Sequence, residues 1–270
     1  MNALKPMGLM ASGRMIDSTL LRVPHLGPAF GPIVAGSKRL ASRYANTLRF
    51  GHPAGGVDAL APCRLLWLQV PARELGDLQL ALLRSSLVWK NKTVVLLDPD
   101  LDCSALAPLA ASGAAVASLT HVPLREELTL LAEGDSHALR SLRPLWKNSG
   151  AKILELKPGL KQVYTAGIMA ADTLAATVVD SALACLRSAG LDPAAAKRLA
   201  GTLVESSIRD HLAHGRKSWV SPASGLRREI TIRQIEALSR TCPEVAIYLR
   251  SLLGATLKWY DQPVDWLDPG

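Results

Sequence analysis

Met7-Gly8-Leu9-Met10-Ala11-Ser12-Gly13-Arg14-Met15-Ile16 opens the chain as an apolar strand candidate that passes through a small-residue turn. A turn of this kind that cradles a phosphate carries Gly-x-Gly-x-x-Gly. The first glycine allows the bend, the second lets the phosphate approach the backbone, and the third lets the helix lie close on the strand. Only the middle glycine, Gly13, is present; Ala11 and Ile16 stand at the other two places. Backbone N–H groups of Ser12, Gly13 and Arg14 at a helix start form an anion site by geometry and dipole. The branched Ile16 crowds helix against strand. The stretch therefore fits a nucleotide-binding turn and an ordinary strand-to-helix turn equally well.

Working outward, short apolar runs alternate with amphipathic stretches as far as residue 157, the pattern of a parallel α/β sheet. Strands are expected at 7–10, 32–35, 65–70, 93–97, 115–119 and 152–156, with covering helices at 39–49, 73–88, 104–112 and 136–149. Pro6 and Gly8 suit a central strand poorly. After Lys157-Pro158-Gly159 the period changes to that of helices. One long helix spans 160–189 and stops at Gly190; another starts at Pro193, with Asp192 as its cap. Two more follow at 229–240 and 243–258, and 261–270 is expected as an extended arm. The division is thus an α/β domain over 1–157 and a helical domain over 158–270.

Apolar residues make up 49% of the 270 and charged residues 20%, the balance of a folded globular chain. The net charge of +8 is scattered, with no long Lys/Arg run and no aromatic-basic interleaving of the kind single-strand binders use. A phosphate-bearing small molecule fits this charge better than nucleic acid, and no nucleic-acid partner is expected. Cys63, Cys103, Cys185 and Cys242 lie far apart without metal-ligand spacing, so reduced thiols and no metal site are expected. No secretory signal is apparent, and Asp172 and Asp180 inside the apolar stretch 166–186 argue against a membrane span. A cytoplasmic protein is the expectation.

The residue that selects between nicotinamide cofactors lies about 20 positions after such a turn, where an acid marks NAD and a basic residue NADP. Here the segment is Ala35-Gly36-Ser37-Lys38-Arg39, with Arg43 one turn on. Ser37, Lys38 and Arg39 offer a hydroxyl and two cations to a 2′-phosphate, with no acid to repel it, or else simply start a helix with exposed basic residues. Val70-Pro71 ends another strand at the edge where open α/β sheets bind ligands. His121 follows a later strand without an evident partner. On the long helix Lys161, Thr165, Ile168 and Asp172 fall on one face. Such a face suits a proton-transfer pair of Lys161 and Asp172, or a solvated polar stripe beside a core.

Four segments carry a resemblance that covers nearly the whole chain. They are Ser37-Lys38-Arg39-Leu40-Ala41-Ser42-Arg43-Tyr44-Ala45-Asn46, Leu65-Leu66-Trp67-Leu68-Gln69-Val70-Pro71, Leu156-Lys157-Pro158-Gly159-Leu160-Lys161-Gln162-Val163-Tyr164, and Ser221-Pro222 through Thr231-Ile232-Arg233. The chain resembles a group of NADP-dependent oxidoreductases that join a Rossmann-like domain to a helical C-terminal domain of unknown function. That group is related to ketopantoate reductase, pyrroline-5-carboxylate reductase and the 6-phosphogluconate dehydrogenase C-terminal fold. The resemblance implies NADP as cofactor, a small carbonyl or imine substrate, and a homodimer formed through the helical domain. It implies that Gly13 and Arg14 face the pyrophosphate, Ser37, Lys38 and Arg39 the 2′-phosphate, and Val70 and Pro71 the nicotinamide. Lys161, Tyr164 and Asp172 would face the reaction centre. The chain departs from the group at Ala11 and Ile16, at Thr165 where a His is usual, and at Asp172 where an Asn is usual. The loop after Ser221-Pro222 is longer than the group's short Arg-Gly-Asp segment. Two readings stay open: an NADP-dependent reductase, and a non-catalytic relative that keeps the fold for binding or regulation.

Overall fold

A computed structural model describes residues 6–13, 16–22, 24–122, 127–147, 150–224 and 226–267. The chain divides into two compact units, Met1–Gly167 and Ile168–Gly270. The first reaches past the Lys157-Pro158-Gly159 linker because Lys161, at the start of the long helix, is fully buried in it.

The first unit is built on one eight-stranded sheet of β1 (Met7–Ala11), β2 (Phe30–Ala35), β3 (His52–Ala54), β4 (Leu65–Gln69), β5 (Thr93–Leu97), β6 (Ala115–Val122), β7 (Thr129–Gly134) and β8 (Lys152–Glu155). Their order is β3-β2-β1-β4-β5-β6-β7-β8. All neighbours run parallel except β6 and β7. The central strands read Leu65-Leu66-Trp67-Leu68-Gln69 and Thr93-Val94-Val95-Leu96-Leu97 and are buried throughout. Alternate residues serve opposite faces. Leu9, Ile33, Trp67 and Val95 join one apolar cluster; Met10, Val34, Leu66, Leu68 and Val94 join the other. Gly8 in β1 has a packing reason, since a Cβ there would lie 2.5 Å from Leu60 Cδ2.

Covering helices follow the strands. α1 (Ser18–Leu21) is a single turn, and a 3-10 segment over Pro24–Ala29 leads on to β2. α2 (Lys38–Leu48) starts at Ser37, whose hydroxyl accepts from Leu40 N, and it buries Ala41, Tyr44 and Leu48. α3 (Ala72–Arg84) begins directly after Pro71. The helix expected at 104–112 is a 3-10 turn, Cys103–Leu106, continued by the five residues of α4 (Ala107–Ala111). α5 (Ser136–Trp146) is capped by Asp135. Two strands were not legible in the sequence: β3, with only three residues, and β7, whose reversed direction makes the sheet mixed.

The long helix is α6 (Lys161–Met169), a π turn (Ala170–Leu174) and α7 (Ala175–Ser188). The π turn breaks the 3.6-residue period on which the shared face of Lys161, Thr165, Ile168 and Asp172 rests. In the second unit follow α8 (Pro193–His214), capped by Asp192 as expected, α9 (Leu226–Thr241) and α10 (Pro243–Trp259). Of the expected extended arm 261–270, residues 261–267 fold back instead, and 268–270 lie outside the described residues. Trp266 and Leu267 are buried with Ile235 and Leu257, because two large apolar side chains in a short tail gain more from packing than from solvent. Trp266 Nε1 donates to Pro263 O at 2.8 Å, satisfying the indole that this burial removes from water.

Candidate functional site

The strand order reverses between β1 and β4, and in doubly wound sheets the crevice at the carboxyl ends beside such a reversal takes the ligand. Ala11, the last residue of β1, pairs with Ala35 of β2 on one side and Gln69 of β4 on the other. The three segments that follow, Ser12-Gly13, Gly36-Ser37 and Val70-Pro71, therefore leave the sheet at one edge. Gly13 has φ 80°, a backbone conformation natural to glycine, and the position of its missing Cβ is 3.8 Å from Pro71 Cγ. Arg14 lies outside the described residues. Ala11 is paired within β1, so the bend starts only at Ser12, while Ile16 packs against the apolar cluster beneath.

The turn is held by side chains that no sequence motif singled out. Tyr44 Oη donates to Ser12 O at 3.2 Å and lies 3.5 Å from Gly13 O. Gln69 Nε2 donates to Tyr44 Oη at 3.0 Å, and Gln69 Oε1 accepts from Asp17 N at 3.0 Å. Ser12 N donates to Gln69 O at 2.9 Å. Tyr44 and Gln69 are both buried. Burial pushes the Tyr44 phenol up, partly offset by the Gln69 hydrogen bond, so the phenol keeps its proton at neutral pH. Asp17 caps α1 by accepting from Thr19 N at 2.7 Å. The trace these residues left in the sequence is small: Gln69 is the one polar residue in an apolar strand, and Tyr44 falls at the apolar spacing Ala41, Tyr44, Leu48.

At the β2 end, Ser37, Lys38, Arg39 and Arg43 are all exposed, and the first turn of α2 holds no acidic residue. A 2′-phosphate fits this donor set: a helix N-terminus of full length, a hydroxyl and three cations. A pyrophosphate finds a weaker seat, since α1 offers one turn of dipole with the Asp17 carboxylate already at its start.

Beside β4, the loop after β5 is fastened from below. Lys161 Nζ donates to Asp98 O, to Leu101 O at 2.9 Å and to Ser118 Oγ at 3.1 Å, so its three protons are committed. Burial pulls its pKa down, against the pull of Asp98. Gln162 Nε2 donates to Asp100 O. The buried Glu133 carboxylate accepts from Cys103 N, from Ser118 Oγ at 3.0 Å and from Gly159 N at 2.9 Å. Burial and this carboxylate push the Cys103 thiol up to about 12. Tyr164 is half-buried and its phenol is pushed up by burial. Asp172 is exposed, within the π turn of the second unit. His121 Nε2 is buried without a hydrogen-bond partner among the described residues, and burial lowers its pKa. Among those residues no cluster of His, Cys, Asp or Glu forms a metal site.

An open, mostly parallel sheet whose strand order reverses at β1/β4, followed by a helical unit, defines a Rossmann-type α/β protein with a helical C-terminal domain. Solved structures with this fold include an imine reductase variant from Myxococcus stipitatus in complex with NAD+, at 17% identity over 94% of both chains with a TM-score of 0.69. An imine reductase from Bacillus cereus matches at 15% identity over 93% of both chains with a TM-score of 0.66. A reductive aminase from Aspergillus terreus in complex with NADPH and ethyl-5-oxohexanoate matches at 17% identity over 94% of both chains with a TM-score of 0.62. Residues 128–239 match the family model described as a domain of unknown function, DUF2520. No curated protein matches the chain.

Proposed function

We propose that this chain is an NADP-dependent oxidoreductase that moves hydride between NADPH and a small carbonyl or imine compound. The observation that carries this reading is the convergence of three strand ends at the β1/β4 reversal. They bring the Ser12-Gly13 turn, the acid-free basic start of α2 and Val70-Pro71 to one edge. The fold shared with NADPH-binding and NAD+-binding reductases supports it.

When bound, the cofactor supplies the hydride, and the chain binds and orients it. Ser37, Lys38, Arg39 and Arg43 hold the 2′-phosphate. Ser12 and Gly13 lie along the pyrophosphate, and Val70 and Pro71 back the nicotinamide and keep water from it. Tyr164 retains its phenolic proton at neutral pH and serves as proton donor at Oη. Lys161 fixes the loop after β5 through Asp98 O and Leu101 O rather than transferring a proton itself.

We further propose that the chain is cytoplasmic and forms a homodimer through its helical unit. That unit exposes the large apolar side chains Leu174, Val178, Leu199, Leu203, Ile208 and Leu212, on more than one side of its helices, which a partner wrapped against them would cover. The helix 161–188 is long and apolar enough by composition to cross a membrane. Asp172 and Asp180 within it make a second copy a better cover than lipid.

Calorimetric titration with NADPH and NADH tests the cofactor reading. Micromolar binding of NADPH with a clear preference over NADH supports it. No binding of either at millimolar concentration favours the second reading, a non-catalytic relative, for which the Asp17 cap on a one-turn α1 and the fully committed Lys161 amine already speak.

A further inference from the structure

We infer that Tyr44 and Gln69 are positioning residues for the cofactor's pyrophosphate, shaping the Ser12-Gly13 turn that glycines shape elsewhere. This rests on the cofactor reading above and deepens it.

Two glycines are missing from the turn, and α1 is too short to lend a full helix dipole. Ser12 N and Asp17 N are already committed to Gln69, so among the described residues of the turn the backbone donor left to an anion is the Gly13 N–H, and its direction bears on whether the turn binds. In a trans peptide the N–H points opposite to the carbonyl of the same unit. The Tyr44 hydroxyl draws Ser12 O inward at 3.2 Å, with Gly13 O at 3.5 Å, and this sends the Gly13 N–H away from Tyr44. Gln69 sets the hydroxyl's direction. Its Nε2 donates to Tyr44 Oη at 3.0 Å, which leaves the phenolic proton for the turn carbonyls. Its Oε1 holds Asp17 N at 3.0 Å and its backbone oxygen holds Ser12 N at 2.9 Å, so one residue ties both ends of the turn. At the same turn Ser12 Oγ is a buried hydroxyl oxygen without a partner among the described residues.

Tyr44 is also on α2, whose start carries Ser37, Lys38 and Arg39. One helix thus contributes both the 2′-phosphate cations and, two turns on, the hydroxyl that forms the pyrophosphate seat. The two functions separate experimentally, because adenosine 2′-monophosphate carries the 2′-phosphate and lacks the pyrophosphate.

The experiment is calorimetric titration of the whole chain and of its Tyr44→Phe and Gln69→Met variants with NADPH and with adenosine 2′-monophosphate, thermal melting serving as the check on folding. A lost hydrogen bond of ordinary strength corresponds to about five- to tenfold in affinity. Both variants are expected to weaken NADPH by that factor while holding adenosine 2′-monophosphate within twofold of wild type. Unchanged NADPH binding in the variants overturns the inference. Equal loss of both ligands also overturns it, by reducing Tyr44 and Gln69 to parts of the core. If the wild-type chain binds adenosine 2′-monophosphate but not NADPH, the turn is no pyrophosphate seat and this inference falls while the 2′-phosphate site stands. If it binds neither, the cofactor reading falls and takes the inference with it.

Discussion

Lys161 shows how one side chain can satisfy a pattern and yet do other work. In the sequence it is a lysine in the first turn of a long helix, a place where the helix dipole disfavours it. In the structure its three N–H groups meet Asp98 O, Leu101 O and Ser118 Oγ, a fully satisfied buried ammonium. Replacing it by methionine keeps the length and strands those acceptors. Lys161→Met is expected to destabilise the first unit by about 1–3 kcal/mol, the cost of leaving buried acceptors unmet, read as a lower urea midpoint. A variant as stable as wild type would show that the loop after β5 does not depend on it. The start of α2 at Ser37, with Lys38 and Arg39 exposed beside it, was legible because a cap and its flanking charges are local features. The hydrogen bonds of Tyr44 and Gln69 were not, since spacing does not say which carbonyl a hydroxyl meets.

Among the elements, runs of Leu and Val bounded by turns marked β4 and β5 closely, the expected 93–97 coinciding with β5. β3 escaped because His52-Pro53-Ala54 has neither length nor alternation. β7, Thr129-Leu130-Leu131-Ala132-Glu133-Gly134, is buried throughout but carries a charged and a glycine residue at its end, and its direction is a property of pairing alone. Its last residue leaves no room for a side chain against the backbone of β6. Gly134 has φ 153°, and a Cβ on it would sit 2.4 Å from Val116 O. At Gly8 the obstacles are side-chain ends rather than backbone: Leu60 Cδ2 at 2.5 Å, with Cys63 Sγ and Leu66 Cδ2 at 3.2 Å. Gly134→Ala is therefore expected to cost more than Gly8→Ala, beyond the roughly 1–3 kcal/mol typical of overpacking. Chemical denaturation of the two variants side by side checks the order. Equal losses would mean that the β6/β7 pair yields as readily as a side chain does.

For the molecule as a whole, the α/β-then-helical division was legible from the change of period, while the folded-back tail was not. Trp266 and Leu267 follow Pro263, and nothing local says that they find Ile235 and Leu257. The dimer proposal belongs to this scale. Leu203 is 56% exposed on α8, and Leu203→Asp sets a charge into the proposed interface without disturbing a buried contact. Sedimentation should show wild type at twice the chain mass and the variant shifted toward one; a monomeric wild type at micromolar concentration would end the proposal. The sheet's two margins bear on the same question of self-association. β3 at one margin is three residues long and contains Pro53, which has no N–H to offer a neighbour. β8 at the other is four residues long and carries Lys152 and Glu155, paired on the surface with Glu127 and Arg143. Short, proline-bearing or charged margins refuse a further strand, so a chain this rich in leucine and valine can sit at high concentration without zipping into fibrils through its sheet.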